Sequence, residues 1–205
     1  MNRKKFLFVK KLFDFMFALI FIIVLVPVFI VLAILIVIDS GYPVFFTQIR
    51  IGEKGKPFKI YKFRTMTTDK TSQDAGNIIL MDDYRITKIG KYLRKYSVDE
   101  LPQLINILRG EMSIIGPRPT LEYQVKKYDP RQNKRLDVKP GITGWAQVNG
   151  RNNLTWAQKI ELDIWYVEHM SLPLDFKILC LTLVVIFQTK QIYVTGEDDE
   201  ISKQG

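Results

Sequence analysis

From Phe15 to Ile38 the chain runs for 24 residues without a charged side chain. A straight helix of that length covers about 36 Å, more than the roughly 30 Å hydrocarbon core of a bilayer. The run exceeds the apolar core of about 7–15 residues found in a secretory signal, and no small-residue cleavage site follows it, so retention in the mature chain is expected. Pro27 lies near its middle. A proline there lacks an N–H, frees the carbonyl of Ile23 and pushes Val26 away from helical geometry. Two arms result, residues 15–26 and 28–38, of about 18 and 16 Å, each long enough to reach mid-bilayer. Arg3, Lys4, Lys5, Lys10 and Lys11 precede the segment and Arg50, Lys54 and Lys56 follow it, and basic flanks favour the cytoplasmic side. A single span places one flank outside, whereas a re-entrant hairpin bent at Pro27 keeps both inside. The expectation is a monotopic helix-break-helix, with a Pro-kinked single-pass anchor as the alternative. Lipid offers no donor for the freed carbonyl, and the sequence does not reveal one.

The rest reads as one folded unit. Of 205 residues, 47% are hydrophobic and 25% charged, a balance that excludes intrinsic disorder. The net charge of +9 favours polyanions, anionic lipids or phosphorylated small molecules as partners. Cys180 is the single cysteine and His169 the single histidine, which excludes a disulfide framework and a Cys- or multi-His zinc centre, so any metal must use carboxylates. Val44–Ile49 and Phe58–Phe63 around IGEKGKP predict a β-hairpin, and residues 67–83 a mobile loop. Leu101, Leu104, Ile105 and Leu108 predict an amphipathic helix stopped at Gly110. Residues 139–151, with three glycines, read as loop, and Asn153 to Met170 as a second helix. Ile178–Phe187 is too short to span and reads as a core or interfacial helix, with Lys177 and Lys190 suited to headgroups. The predicted class is α+β and helix-rich. Residues 1–39 form the basic flank and membrane hairpin, 40–192 a small domain with interfacial amphipathic helices and a short hairpin, and 193–205 an acidic, frayed tail.

Several residues carry chemical potential. Ser97-Val98-Asp99-Glu100 opens the amphipathic helix. With Asp99 as N-cap, Pro102 falls at the third helical position, where its N–H is dispensable. Taken alone, this is ordinary capping. A helix N-terminus also favours phosphate and keeps a carboxylate ionised, and such a carboxylate can ligate Mg²⁺ or attack phosphorus. In Gly116-Pro117-Arg118-Pro119 two prolines present Arg118 from a stiff mount, suited to bidentate phosphate contact. Lys62 and Arg64 alternate on one strand face, a pattern that also serves edge protection. Arg151 and Asp163 are further candidates for a nucleotide's polar groups. Trp145, Trp156 and Trp165 could stack on a base, although packing is their commoner role. His169 reads as a helix-end residue and Cys180 as a packed thiol.

Taken together, the order of these segments is far more specific than any one of them. An apolar segment with central proline, then YKFRTM, SVDELPQLINILRGEMSIIGPRP, KPGITGWAQVNGR and ELDIWYVEHMS closely resembles the bacterial sugar transferase family, the small monotopic phosphoglycosyl transferases, from about residue 5 to residue 190. The resemblance implies transfer of a sugar 1-phosphate from a UDP-sugar to polyprenyl (undecaprenyl) phosphate with release of UMP, by a ping-pong route, as the first membrane step of glycoprotein, capsule, exopolysaccharide or O-antigen synthesis. It makes residues 40–192 the catalytic domain, on the cytoplasmic face of the bacterial inner membrane. It implies that Asp99 is the nucleophile, that Glu100 is its partner, and that Mg²⁺ is held at the pair. Arg118 is matched to the diphosphate or lipid phosphate, and Lys62, Arg64, Arg151 and Asp163 to substrate binding. No nucleic-acid partner is expected. A homodimer and the sugar itself are left open, an N-acetylated amino sugar being compatible with the resemblance and galactose or glucose remaining alternatives. One departure is visible: minimal members often carry Ser before the membrane proline, where this chain has Val26. The alternative function is an anchored anionic-lipid or nucleotide-binding protein without catalysis.

Overall fold

The computed structural model describes residues 2–67, 83–150 and 153–187. Helix α1 spans Arg3–Ser40, 38 residues and about 57 Å. It is the one helix among the described residues long and apolar enough to cross a membrane. It runs through Pro27 without ending, so the expected helix-break-helix is corrected to one continuous element. The proline removes a single internal hydrogen bond, whereas unwinding a turn in an apolar medium would strand several backbone groups.

The folded unit holds α1 at both ends. Near the start, Lys10 Nζ donates to Asp175 Oδ2 at 2.8 Å and Asp14 Oδ1 accepts from Ile114 N at 3.1 Å. At the far end, Asp39 Oδ2 accepts from Ile89 N at 2.8 Å. There Arg64 caps the helix, donating to the carbonyls of Ser40 at 2.7 Å and Tyr42 at 2.6 Å and also to that of Gly41. Between them, Ala18 enters the main core and Ile36 a smaller one with Phe63 and Leu93. Phe8, Ile23, Val24 and Ile38 point outward.

Strands β1 (Phe45–Ile51) and β2 (Pro57–Phe63) form the expected hairpin, the first strand starting one residue later and ending two later than expected and the second starting one earlier, in antiparallel register with Phe45 opposite Phe63. The predicted loop 67–83 falls almost wholly outside the described residues, as do Lys190 and the acidic tail. Helix α2 (Lys88–Lys95) is capped by Thr87 Oγ1 and rides so close to the strand end that a Cβ on Gly90 would lie 2.2 Å from the Thr65 carbonyl oxygen.

The expected single helix from Asp99 to Gly110 is instead a 3-10 turn, Val98–Gln103, followed by α3, Leu104–Leu108. Ser97 precedes it in the left-handed region at φ 56°, so Ser97 and not Asp99 is the half-turn residue at the start. Asp99 is not an N-cap. Gly110, at φ 74°, does end the helix. Asn106, fully buried, staples α3 to β2: its Oδ1 accepts from Tyr61 N at 3.2 Å and its Nδ2 donates to Lys59 O at 2.8 Å and Glu111 Oε2 at 2.7 Å. Asn106→Ala should cost about 2–3 kcal/mol by stranding these groups, measured as a fall in the thermal midpoint of the purified protein.

The segment 139–151, read as loop, contains structure. Strand β4 (Gly141–Thr143) pairs in parallel with β3 (Ser113–Ile115), and the short α5 (Trp145–Val148) follows. A Cβ on Gly141 would stand 2.1 Å from Gly116 N, so that glycine serves a close backbone contact. Helix α4 is Glu122–Val125. Helix α6 (Trp156–His169) starts after Thr155, which forms a capping box with Gln158. Helix α7 (Leu172–Phe187) begins six residues before the predicted Ile178. It sends Ile178 into the core beside Tyr166 and leaves Phe176 and Leu183 exposed. Cys180 is exposed, which corrects its reading as a packed thiol: it faces away from the core side that Ile178 occupies.

Candidate active site

Asp99 and Glu100 are adjacent on the 3-10 turn, which lies against β2. The left-handed Ser97 and the tight turn project both carboxylates toward the hairpin, where Lys62 Nζ donates to Glu100 Oε1 at 2.6 Å. From the other side Arg118 Nη2 reaches the same oxygen at 3.2 Å. Both cations converge on Oε1. Burial pushes the Glu100 carboxyl up, but the charges and hydrogen bonds of Lys62 and Arg118 more than reverse this and hold it below the usual carboxylate range. Among the described residues no side chain donates a hydrogen bond to the Asp99 carboxylate. Burial raises it above the ordinary aspartate value, Lys62 offsets part of that, and the neighbouring Glu100 charge adds to it. The two carboxylates thus have divided roles: Glu100 is a fixed, ionised anchor, while Asp99 is unencumbered and poorly solvated, as a nucleophile requires.

The uncommitted oxygens, both on Asp99 and Oε2 on Glu100, are hard anionic donors on one turn. They suit Mg²⁺, which is commonly held by one or two carboxylates with phosphate and water completing the shell. Among the described residues there is no cluster of three or more His, Cys, Asp or Glu that could hold a metal, so a complete protein cage is absent there.

The structure brings Lys62, Asp99, Glu100 and Arg118 together. Arg118 is 57% exposed, with its charge reinforced chiefly by Glu100. Arg64 is placed elsewhere: its guanidinium is spent on the end of α1, so the sequence reading of it as a substrate ligand is corrected to a helix-capping role. Asp163 is also not open to substrate. It is 2% exposed and its Oδ2 is bonded at 2.6 Å to Arg135 Nη2. Burial lifts its carboxyl to about 6 despite that arginine. Arg151 lies outside the described residues. Pro27 is inside α1, remote in sequence from the pair. The tryptophans are not free for a base: Trp145 stacks on Trp165 and Trp165 on His169, with centroids 5.2 and 4.5 Å apart. His169 closes the last turn of α6, as expected.

Two arginines were missed by sequence reasoning. Arg135, 4% exposed, links Asp163 to the Pro-Arg-Pro loop by donating to the Arg118 carbonyl at 3.3 Å. Its guanidinium lies over the rings of Tyr128 and Trp156. Arg50 at the end of β1 donates to the Pro119 carbonyl at 3.4 Å and to Gln48 Oε1 at 2.7 Å. Both look like surface cations in the sequence, and no local signal marks them.

The sequence profile described as bacterial sugar transferase matches residues 5–189. An uncharacterized sugar transferase, EpsL of Bacillus subtilis, is 50% identical over 188 residues, covering 91% of each chain. The exopolysaccharide production protein ExoY of Sinorhizobium fredii is 39% identical, over 88% of this chain and 83% of its own length. A UDP-glucose:undecaprenyl-phosphate glucose-1-phosphate transferase of Klebsiella pneumoniae is 40% identical over 90% of this chain, which spans 41% of that longer protein.

Proposed function

The chain belongs to the bacterial sugar transferase family and is a phosphoglycosyl transferase, and from that premise we propose that it moves a sugar 1-phosphate from a UDP-sugar to undecaprenyl phosphate through a phosphosugar bonded to Asp99. The observation that carries this reading is the asymmetry of the pair: Lys62 and Arg118 are committed to one oxygen of Glu100, and no ion pair among the described residues engages the half-buried Asp99 carboxylate beside it.

In the first half-reaction an Asp99 oxygen attacks the phosphorus bearing the sugar, the bond from that phosphorus to the bridging oxygen breaks, and UMP leaves. In the second, an oxygen of the lipid phosphate attacks the same phosphorus, the bond to Asp99 breaks, and the free carboxylate returns. Splitting the displacement replaces one difficult step by two easier ones. Glu100 holds Lys62 and Arg118 where charge develops on the transferring phosphoryl oxygens. Mg²⁺ bound at Asp99 and Glu100 would neutralise the diphosphate and act as a Lewis acid there. Chelating divalent cations should therefore suppress adduct formation and UMP release together, with recovery on adding Mg²⁺.

The membrane arrangement follows from α1. Attachment of residues 10–14 and 39–40 to one polar unit supports a monotopic placement on the cytoplasmic side. A straight span would put those ends about 40 Å apart on opposite faces. The site then lies at headgroup level, between a cytosolic donor and a lipid acceptor. Cysteines placed near residues 2 and 150 in a Cys180→Ser background should label from the same side, and labelling from opposite sides would refute this placement. The decisive assay is a panel of UDP-sugars with Mg²⁺ and undecaprenyl phosphate, which should release UMP for at least one sugar. UDP as the sole nucleotide product would indicate a direct glycosyl transfer instead. The ExoY relatives are named for exopolysaccharide production, and we place this chain at the first membrane step of such a synthesis.

A further inference from the structure

Arg50 is a cation that the described structure leaves without a counter-ion. It sits at the end of β1, where Ile51 bridges to Thr120, so the strand lies directly beside the Pro-Arg-Pro loop. Its Nη1 and Nη2 are committed to neutral acceptors, the Pro119 carbonyl and Gln48 Oε1. Its Nε is buried with no partner. Among the described residues no carboxylate forms an ion pair with it, and the ionisable groups that act on it are Arg118, which repels it, Glu100, already shared by two other cations, and Tyr123. Burial and then Arg118 bring its guanidinium down to about 10. A buried guanidinium with a spare N–H is costly unless an anion completes it. Charge around the site points the same way: Lys62, Arg50 and Arg118 all act on the one carboxylate of Glu100.

Resting on the transfer reading above, we propose that Arg50 and Arg118 together form a phosphate subsite, with Arg50 Nε as its buried donor, which holds a substrate phosphate beside the Asp99–Glu100 pair. A guanidinium suits this better than an ammonium, because the planar fork grips the loop carbonyl and Gln48 with two nitrogens while the third remains for a phosphate oxygen. The phosphate is either the donor's diphosphate or the acceptor's monophosphate, and both present the same oxygens.

The test uses the full chain in detergent or nanodiscs and reads binding without turnover. Calorimetry with UDP reports the donor side and with a short prenyl phosphate the acceptor side. Arg50→Gln should weaken one of the two by about ten- to a hundredfold while the other changes little, and the ligand affected identifies the phosphate held. Arg50→Lys, which keeps charge but not the fork, should lose less than Arg50→Gln. If Arg50→Gln fails to fold, Arg50→Lys alone decides, and a threefold or larger weakening of one ligand is expected. Unchanged binding of both ligands would overturn the subsite, and so would equal weakening of both accompanied by a lower thermal midpoint, which marks a loop prop only. Wild-type protein that binds UDP or prenyl phosphate in an Arg50-dependent way but releases no UMP from any UDP-sugar would overturn the transfer reading and leave the subsite standing. Wild-type protein that binds neither would overturn the subsite.

Discussion

Asp99→Asn should abolish the phosphosugar adduct and lower UMP release by at least about four orders of magnitude, the scale on which loss of a covalent nucleophile acts. The substitution keeps volume and shape. It also removes a charge that burial disfavours, so the variant should fold with an unchanged or higher thermal midpoint. Intact-protein mass measured after mixing with UDP-sugar and Mg²⁺ gives the result directly: a shift equal to the phosphosugar in the wild type and none in the variant. Glu100→Gln should behave differently. It leaves Lys62 and Arg118 facing each other without their shared carboxylate, so both adduct formation and stability should fall. Full transfer without any adduct in Asp99→Asn would rule out the two-step route.

The second large effect is expected at Asp163. Asp163→Ala leaves Arg135 buried and unpaired, a loss of about 3–5 kcal/mol, and releases the support beneath the Arg118 carbonyl. The thermal midpoint should fall by roughly 6–20 °C for a chain of this size. Activity remaining at low temperature should show a raised KM, because Arg118 is no longer held toward Glu100. The pair also has a pH signature. Its carboxyl sits at about 6 when folded against about 3.9 unfolded, so between those values the folded chain keeps a proton that the unfolded chain releases. This group's contribution to stability therefore falls as pH rises from about 4 to 6 and is level above. Chemical denaturation of wild type and Asp163→Asn across that range should show a steeper fall in the wild type than in the variant, the difference being this group's contribution.

The elements legible in the sequence are those set by local chemistry. The hairpin follows from alternation around IGEKGKP, the stop at Gly110 from its left-handed backbone, and the long apolar helix from its lack of charge. Pairings between distant segments were not legible. Arg135 and Asp163 are 28 positions apart, and each resembles a solvated charge until the fold closes them together. Asn106, which ties α3 to β2, has partners more than forty positions away in β2. The glycines of 139–151 suggested a loop, whereas Gly141 is required by the backbone of Gly116 pressed against it. Asp99 and Glu100 were recognisable as a pair, but their 3-10 setting depends on Ser97 adopting a conformation that few non-glycine residues take. The contacts of Arg64 are hidden for the same reason as those of Arg135: its partners, the carbonyls ending α1, are more than twenty residues away.

That grip of Arg64 on the last carbonyls of α1 ties lipid mechanics to chemistry. Lys62 is two residues upstream, about 7 Å along the backbone, and it holds Glu100. Tilting of α1 in a thinner or thicker bilayer would be transmitted through this short lever to the carboxylate beside Asp99. Acyl-chain length should therefore tune turnover even where both substrates are saturating.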